Sequence, residues 1–412
     1  MAELNIGIWG FGKEGKANFT YAKSHYPNAN ITILDDGNIT EPHLGGIEAK
    51  EAIASGEFDI IIKSPGISLY KKEAQQAIQN GTKITSATNL WLAQNRDAKT
   101  LIVTGTKGKS TTASLIAHLL KAMGKDILLA GNIGTVLLEQ KPAQDLNILE
   151  LSSYQIADLE EAPNYALLLN LFPEHLGWHQ THENYFKDKL RLLTLSNKTQ
   201  NIIFSENKNI NALYTPKPQD ILFSPKDIET YDSPLKGVHN QLNITAALKT
   251  IEAIGFNKEE AKQHLPTYNP LPHRQEVIPS NDDITYINDS ISTIPEATLE
   301  ALKIYEGQSI TLLLGGEERG QDYKELYHYL KQNTHINIIL LPDNGKRIEV
   351  ELKDNKIENP TIRIDDFEQA IKHAQKTTPK GGIILLSPAA PSYGHFKNFE
   401  DRGNQFRELV SN

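Results

Sequence analysis

Residues 101–111 read Leu101-Ile102-Val103-Thr104-Gly105-Thr106-Lys107-Gly108-Lys109-Ser110-Thr111. An apolar run passes into a glycine-containing loop that closes on Gly-Lys-Ser, and Thr112 to Met123 is helix-forming. A strand, such a loop and a helix in succession surround phosphate with backbone N–H groups. They also bring a lysine to the outer phosphates and a hydroxyl to Mg²⁺. The loop sits at the positive end of a helix, which favours an anion further. The general pattern has a glycine where this chain has Val103. A nucleoside triphosphate is the first expectation, and a phosphate site without hydrolysis stays open on this stretch alone.

Downstream of the loop, strands are expected at 127–130, 146–151, 166–171 and 202–204, with helical stretches between several of them. A helix over 240–254 and a proline-rich joint at 266–272 close the segment, and proline and lysine in 215–226 suggest exposed loops within it. Alternating strands and helices imply a mostly parallel, doubly wound sheet with ligands at the carboxyl ends of its strands. Upstream, an apolar strand at 4–9 leads into Gly10-Phe11-Gly12-Lys13-Glu14-Gly15, a helix to about Ser24, a strand at 31–34 and then Asp35-Asp36. Strand, Gly-x-Gly-x-x-Gly, helix, strand, acid is the order of a Rossmann unit. A further strand, Ile60-Ile61-Ile62-Lys63, enters the turn Ser64-Pro65-Gly66. The third segment offers strands at 285–287, 310–314, 336–341 and 383–386, with helices over 296–305, 323–332 and 367–375. The expected fold class is therefore α/β in three domains. These are a Rossmann-like domain at 1–95, a P-loop ATPase-like doubly wound parallel sheet at 96–270, and a C-terminal Rossmann-like α/β domain at 271–412.

Composition narrows the function classes. The chain has 412 residues, 39% hydrophobic and 23% charged, which suits a soluble globular protein of several domains. Its net charge of −9 speaks against nucleic acid as a partner, since no basic stripe is available to neutralise a phosphate backbone. With no cysteine, disulfides, thiolate nucleophiles and Cys-ligated zinc are excluded. The N-terminus lacks a signal-peptide pattern, and no apolar run approaches the ~20 residues that span a bilayer. A cytoplasmic protein without membrane insertion is expected, and nothing demands a partner chain, so a monomer is expected too.

Four clusters at strand ends carry possible chemistry. Glu150 ends an apolar strand, and a carboxylate there needs a partner such as a divalent cation. Ser152 or Ser153 next to it can instead serve as a helix N-cap. His175, in Phe172-Pro173-Glu174-His175, could share a metal with Glu150, or be structural. The run Lys187-Asp188-Lys189 reads as a solvated helix face. His273-Arg274 and Asn288-Asp289 lie at a domain joint, where an arginine fork and a carboxylate suit a clamped nucleotide.

Taken in order, these motifs resemble those of the Mur ligases, and within them the branch that adds glutamate. The likeness covers nearly the whole chain. It is carried by residues 104–111, Gly131-Asn132-Ile133-Gly134, Glu150-Leu151-Ser152-Ser153-Tyr154-Gln155, residues 237–243, Pro272-His273-Arg274, Leu313-Leu314-Gly315-Gly316, and the stretch from Leu386-Ser387-Pro388 through Ser392 to Gly403. The family's loop lacks the first glycine of the general pattern, which accounts for Val103.

The resemblance implies an ATP-dependent amide ligase of peptidoglycan synthesis. It would join glutamate to UDP-N-acetylmuramoyl-L-alanine through an acyl phosphate. Activation is needed because a carboxylate is a poor electrophile, and the work is charge neutralisation and positioning between anions. Position by position, Lys109, His175 and Lys189 are the implied catalytic residues. Ser110, Glu150, His175 and Lys189 would hold two Mg²⁺, with Lys189 carbamylated, against the solvated-face reading of that residue. ATP would meet Gly105, Thr106, Lys107, Gly108, Lys109, Ser110, Thr111, Asn240, Asn243, Arg274 and Asp289. The UDP substrate would meet Gly10, Phe11, Gly12, Lys13, Asp35, Asp36, Ser64, Pro65, Gly66, Asn132 and Ser152. Glutamate would meet Thr293, Arg319, Ser392 and Phe399.

The chain departs from the family where it reads Asp289-Ser290-Ile291-Ser292-Thr293-Ile294. Ile291 stands where the family has a lysine and Ile294 where it has an asparagine. Arg319 stands for the lysine after the Gly-Gly turn. Family frequency favours D-glutamate, and the altered loop keeps L-glutamate open. A folylpolyglutamate-type ligase lacks the first, UDP-holding domain. A non-catalytic nucleotide module would not need Lys109, Ser110, Glu150, His175 and Lys189. An NAD-dependent dehydrogenase, suggested by residues 10–15, leaves the other two domains unexplained.

Overall fold

The structure is a computed structural model that describes residues 4–133, 135–172, 174 and 176–411. The chain is α/β throughout. Among the described residues there are three sheets, and nearly every strand pair in them is parallel. The division by compactness gives two units. One holds residues 1–233 and 238–268, and the other holds 269–412 with the short piece 234–237.

The first unit carries two sheets. One has the order β3-β2-β1-β4-β5, from β1 (Asn5–Trp9), β2 (Asn30–Leu34), β3 (His43–Leu44), β4 (Ile60–Lys63) and β5 (Lys83–Ser86). Its strand order reverses at β1, so the Gly10–Gly15 turn lies at the switch point, where ligands collect. The other has the order β11-β10-β9-β6-β8-β7, from β6 (Thr100–Thr104), β7 (Ile127–Gly131), β8 (Leu146–Glu150), β9 (Tyr165–Leu168), β10 (Gln200–Phe204) and β11 (Ile221–Phe223). Here the switch point is β6, which pairs with β8 on one side and β9 on the other. Such strands are buried on both faces, which is why Leu101-Ile102-Val103 is a continuous apolar run and every residue of Leu146–Glu150 is buried, Asn147 and Glu150 included.

The helix Ala87–Gln94 sends Trp91 and Leu92 into the same core cluster as Ile102, Leu149 and Leu168. The indole of Trp91 donates to the Gln140 carbonyl at 2.9 Å. That packing binds the two sheets of the first unit together. Residues 215–226 hold β11 and a short 3-10 turn, Pro225–Asp227, where only exposed loops were expected. Parallel pairing with β10 supplies the ladder that local sequence did not advertise.

The second unit has one sheet of order β12-β13-β17-β14-β15-β16. Its strands are β12 (Glu276–Ile278), β13 (Thr285–Asn288), β14 (Ile310–Leu314), β15 (Asn337–Leu340), β16 (Thr361–Arg363) and β17 (Ile383–Leu386). Edge strand β12 is antiparallel to β13. Separate clusters of buried apolar side chains cover its two faces, one around Leu312, Leu314 and Tyr323, the other around Tyr286, Leu386 and Phe406. No helix among the described residues is long and apolar enough to cross a membrane.

Candidate active site

The phosphate loop leaves β6 and turns into the helix Lys109–Ala122. Gly108 caps that helix at φ +84, a left-handed conformation that suits glycine. A Cβ there would stand 2.5 Å from the Asn243 side-chain oxygen, so Asn243 packs directly on the loop. Asn243 in turn donates to Asn240 at 3.2 Å, and both lie in the helix Val238–Ile254. The loop is tied from the β9 side as well. The Thr106 amide donates to the Asn170 carbonyl at 3.1 Å and the Lys107 amide to its side-chain oxygen at 2.8 Å. The Lys109 ammonium spans the loop, donating to the carbonyls of Gly105 and Thr106 at 3.0 and 2.9 Å.

Glu150 ends β8 in register with Val103, so its carboxylate rises beside the start of the loop. It is fully buried. Asn132 donates to Oε1 at 3.2 Å, while Oε2 has no hydrogen-bond partner. A buried carboxylate oxygen left unpaired is costly, and a divalent cation is a donor-free partner that suits it. The donor chemistry of Glu150 therefore fits a divalent cation. His175 lies outside the described residues. Among the described residues no three His, Cys, Asp or Glu side chains converge as a preformed metal cluster.

Lys189, on the helix His182–Thr194, is buried and donates to the Gly105 carbonyl at 3.1 Å and the Thr104 hydroxyl at 3.4 Å. Burial pushes its amine well below the ordinary lysine range. Lys109 pushes the same way, against Glu174 and Glu150. Lys187 is exposed as expected, but Asp188 is not on a solvated face. It is buried and bonded to Tyr70 and His179. Tertiary packing overrode the charge-run reading. Ser152 is the N-cap of the helix Ser153–Ile156, in a capping box with Gln155.

In the first sheet, Ser64 donates to the Gly10 carbonyl at 2.9 Å and holds the turn closed. A Cβ on Gly15 would meet that same carbonyl at 1.9 Å, so only glycine lets the helix Lys13–His25 start there. Asp35 accepts from the Phe11 amide at 2.5 Å, and Asp36 from the Gly46 amide at 2.8 Å. Gly10, Asp35 and Asp36 line a cleft of about 220 Å³. Trp9, Lys50, Ile67 and Lys71 line it too, and the sequence did not single them out. Trp9 ends β1 and Ile67 lies four residues after β4, whereas Lys50, inside the helix Gly46–Ser55, and Lys71, before the helix Lys72–Gln79, gave no advance signal.

In the second unit, Asp289 follows β13 and is fully engaged. It accepts from Ser292 at 2.5 Å, Ser387 at 2.7 Å and the Gln275 amide at 3.2 Å. Burial nonetheless raises its carboxyl to about 6. His273 and Gln275, on either side of Arg274, both take positive φ. Arg319 pairs with Glu317 at 2.7 Å and lies 5.7 Å from the Tyr393 ring centre. Phe399 opens the helix Phe399–Val410, and Ser392 is buried beside the turn that precedes it. Buried Arg402, from the same helix, donates to the carbonyls of Ser290 and Ala390 at 2.8 and 3.1 Å. It thereby ties the 289–294 loop to the 387–392 loop.

The arrangement can bind a triphosphate at β6, a cation at Glu150 and a second phosphorylated ligand at β1. Comparison with known proteins points the same way. Residues 103–221 match the model of the Mur ligase middle domain, and residues 273–390 that of the Mur ligase glutamate ligase domain. The chain is 34% identical to the UDP-N-acetylmuramoyl-L-alanine--L-glutamate ligase of Xanthomonas oryzae pv. oryzae, over 98% of this chain and 94% of that protein. It is 33% identical to the protein of the same name from Salinispora tropica, over 98% and 97%. In fold it is similar to the UDP-N-acetylmuramate-alanine ligase MurC of Thermotoga maritima, with a TM-score of 0.62 at 17% identity over 98% of each chain. The MurF ligase of Thermotoga maritima, solved in complex with ADP, also gives 0.62, at 15% identity over 100% of this chain and 95% of that one.

Proposed function

The chain belongs to the Mur ligase family, and on that premise we propose that it joins L-glutamate to UDP-N-acetylmuramoyl-L-alanine at the expense of ATP, in peptidoglycan synthesis. The observation that carries this reading is the convergence of Lys109, the unpaired Glu150 oxygen and the buried Lys189 at the carboxyl ends of β6 and β8. A carboxylate attacking a phosphoryl group brings two anions together, and this is the place where charge is prepared for them.

In this reading Lys109 leaves its loop carbonyls for the transferred phosphoryl group. Gly105 to Thr111 surround the phosphates with amides, and Asn240 and Asn243 lie towards the base. Arg274 and Asp289 would meet ATP as well. Ser110, Glu150, His175 and Lys189 would hold Mg²⁺, which would supply positive charge against the phosphate and the reacting carboxylate. Burial favours the neutral amine of Lys189, the form that adds CO₂, which supports its carbamylation. Gly10, Phe11, Gly12, Lys13, Asp35, Asp36, Ser64, Pro65 and Gly66 would hold the UDP end, with Asn132 and Ser152 nearer the alanyl carboxylate. Thr293, Arg319, Ser392 and Phe399 would receive glutamate. The substrates place the reaction in the cytoplasm, and a monomer suffices.

The enantiomer is the point at which the reading moves from family frequency. Relatives 33–34% identical over almost the whole chain are named for L-glutamate, and Ile291 and Ile294 alter the loop that would face the α-carboxylate. Phosphate release and product mass with UDP-N-acetylmuramoyl-L-alanine, ATP, Mg²⁺ and each enantiomer test it. L-glutamate should be used and D-glutamate refused. No release with either would end the ligase reading, and preference for D-glutamate would reverse the stereochemistry. Lys189→Ala should lose activity and regain part of it with added short carboxylic acids; full activity without them would contradict the carbamate.

A further inference from the structure

Asp188, one residue before Lys189, accepts from the Tyr70 hydroxyl at 3.0 Å on each carboxylate oxygen, and His179 Nδ1 lies 2.7 Å from Oδ2. His179 is fully buried, and its Nε2 is 2.9 Å from Ser153 Oγ. Ser153 opens the helix after Glu150 and Ser152. Tyr70 comes from the loop that begins Ser64-Pro65-Gly66, and Trp178 grips that loop. Its indole donates to the Pro65 carbonyl at 3.1 Å, and its own carbonyl accepts from Ser68 at 2.6 Å. Gln180 donates to the Tyr70 carbonyl at 3.0 Å.

One polar chain therefore runs from the loop at the UDP end, through Tyr70 and Asp188, to the residue beside Lys189. It goes on through His179 to the residue beside Ser152. Ser153, His179 and Asp188 have the hydrogen-bond order of a nucleophile relay. Ser153 is only 2% exposed, however, so no substrate carbonyl can reach it. The chemistry left to the chain is geometric. Consecutive residues on a helix lie about 100° apart, so fixing Asp188 fixes the rotation and height at which Lys189 meets Gly105. Apolar side chains could fill this space as stably, but they would not set a direction. Displacement by about 1 Å at a reacting centre costs on the order of a hundredfold in rate.

We infer that Tyr70 and Asp188 are positioning residues, which set Lys189 at the phosphate loop according to how the 64–70 loop is seated. The inference rests on the proposed function, in which that loop holds the UDP end. Seating of the nucleotide at one sheet then reaches the amine at the other through Tyr70.

Tyr70→Phe tests it, since the ring keeps its place against Trp178 and only the hydroxyl goes. Asn89→Ala serves as the stability control. It removes bonds to the Asp158 carbonyl and the Glu160 amide in the same unit and touches neither Tyr70 nor Asp188. Calorimetric affinity for UDP should stay within about twofold in Tyr70→Phe while kcat falls about tenfold or more. A kcat within twofold of wild type would overturn the inference. So would a parallel loss of UDP affinity, or an equal loss of kcat in Asn89→Ala. A second readout needs no turnover. Backbone hydrogen exchange over the helix His182–Thr194, which carries Asp188 and Lys189, read by peptide mass spectrometry, should slow at least threefold with UDP in wild type and be indifferent to UDP in Tyr70→Phe. Wild-type protein that binds UDP and shows this protection but releases no phosphate would fail the ligase reading alone. UDP binding without protection would fail the positioning inference alone.

Discussion

Glu14 is the residue whose burial has the plainest consequence for stability. It lies in the Gly-x-Gly-x-x-Gly turn, and desolvation raises its carboxyl to about 7; Lys63 opposes this and Asp158 adds to it. Folded Glu14 holds its proton to about pH 7, whereas the unfolded group releases it near the ordinary value of 4.5. Between those values the folded state binds more protons, so Glu14 subtracts stability as pH rises through that window. Glu14→Gln should therefore match the wild type in stability to melting near pH 4.5 and exceed it at pH 8 by up to about 3 kcal/mol. An equal difference at both pH values would show that the side chain's shape, not its proton, is responsible. Nothing in the sequence marked Glu14, because its shift comes from the depth of its burial and from Asp158, against Lys63. Asp188 teaches the same at this scale. Lys187-Asp188-Lys189 is a charge run on paper, and only the fold turns the last two inward.

At the scale of the element, the loop and helix that follow β6 depend on one glycine. Gly108 combines φ +84 with contact against Asn243. Gly108→Ala should cost about 1–3 kcal/mol through backbone strain and displace Asn243 from the loop. Thermal melts and ATP titration would check it, with ATP affinity lost before the fold is. Adding Asn243→Ala should relieve the contact but not the strain, leaving stability partly recovered. Full recovery would mean that the positive φ carries no cost. This element was the most legible in the sequence, since apolar run, glycines, Lys109 and Ser110 each had a local reason. The short strands were the least legible. β3, β11, β12 and β16 have two or three residues each. They exist because a neighbouring strand offers a ladder, a non-local fact that no local pattern expresses.

For the whole molecule, the second unit holds a complete six-stranded sheet with its own apolar cover on both faces. Residues 269–412 expressed alone should therefore fold and unfold in one cooperative transition, without ATP turnover. A fragment with no cooperative melt would show that its core needs the rest of the chain. The first two sheets should not separate in this way. Trp91 and Leu92 from the end of one lie in the core of the other, and Trp178 and Tyr70 cross between them.

By itself the sequence determined the α/β class, the phosphate loop, the Rossmann turn and the order of motifs that marks the family. Each of these is written in residues adjacent in the chain, with turn, cap and strand rules acting over a few positions. Tertiary structure alone decided which acid near Lys189 is buried, which oxygen of Glu150 is unpaired, and that Tyr70, Trp178 and His179 join the loop after β4 to the helix that carries Lys189. Those properties depend on what is packed alongside, and packing joins residues more than a hundred positions apart, as Tyr70 and Asp188 are.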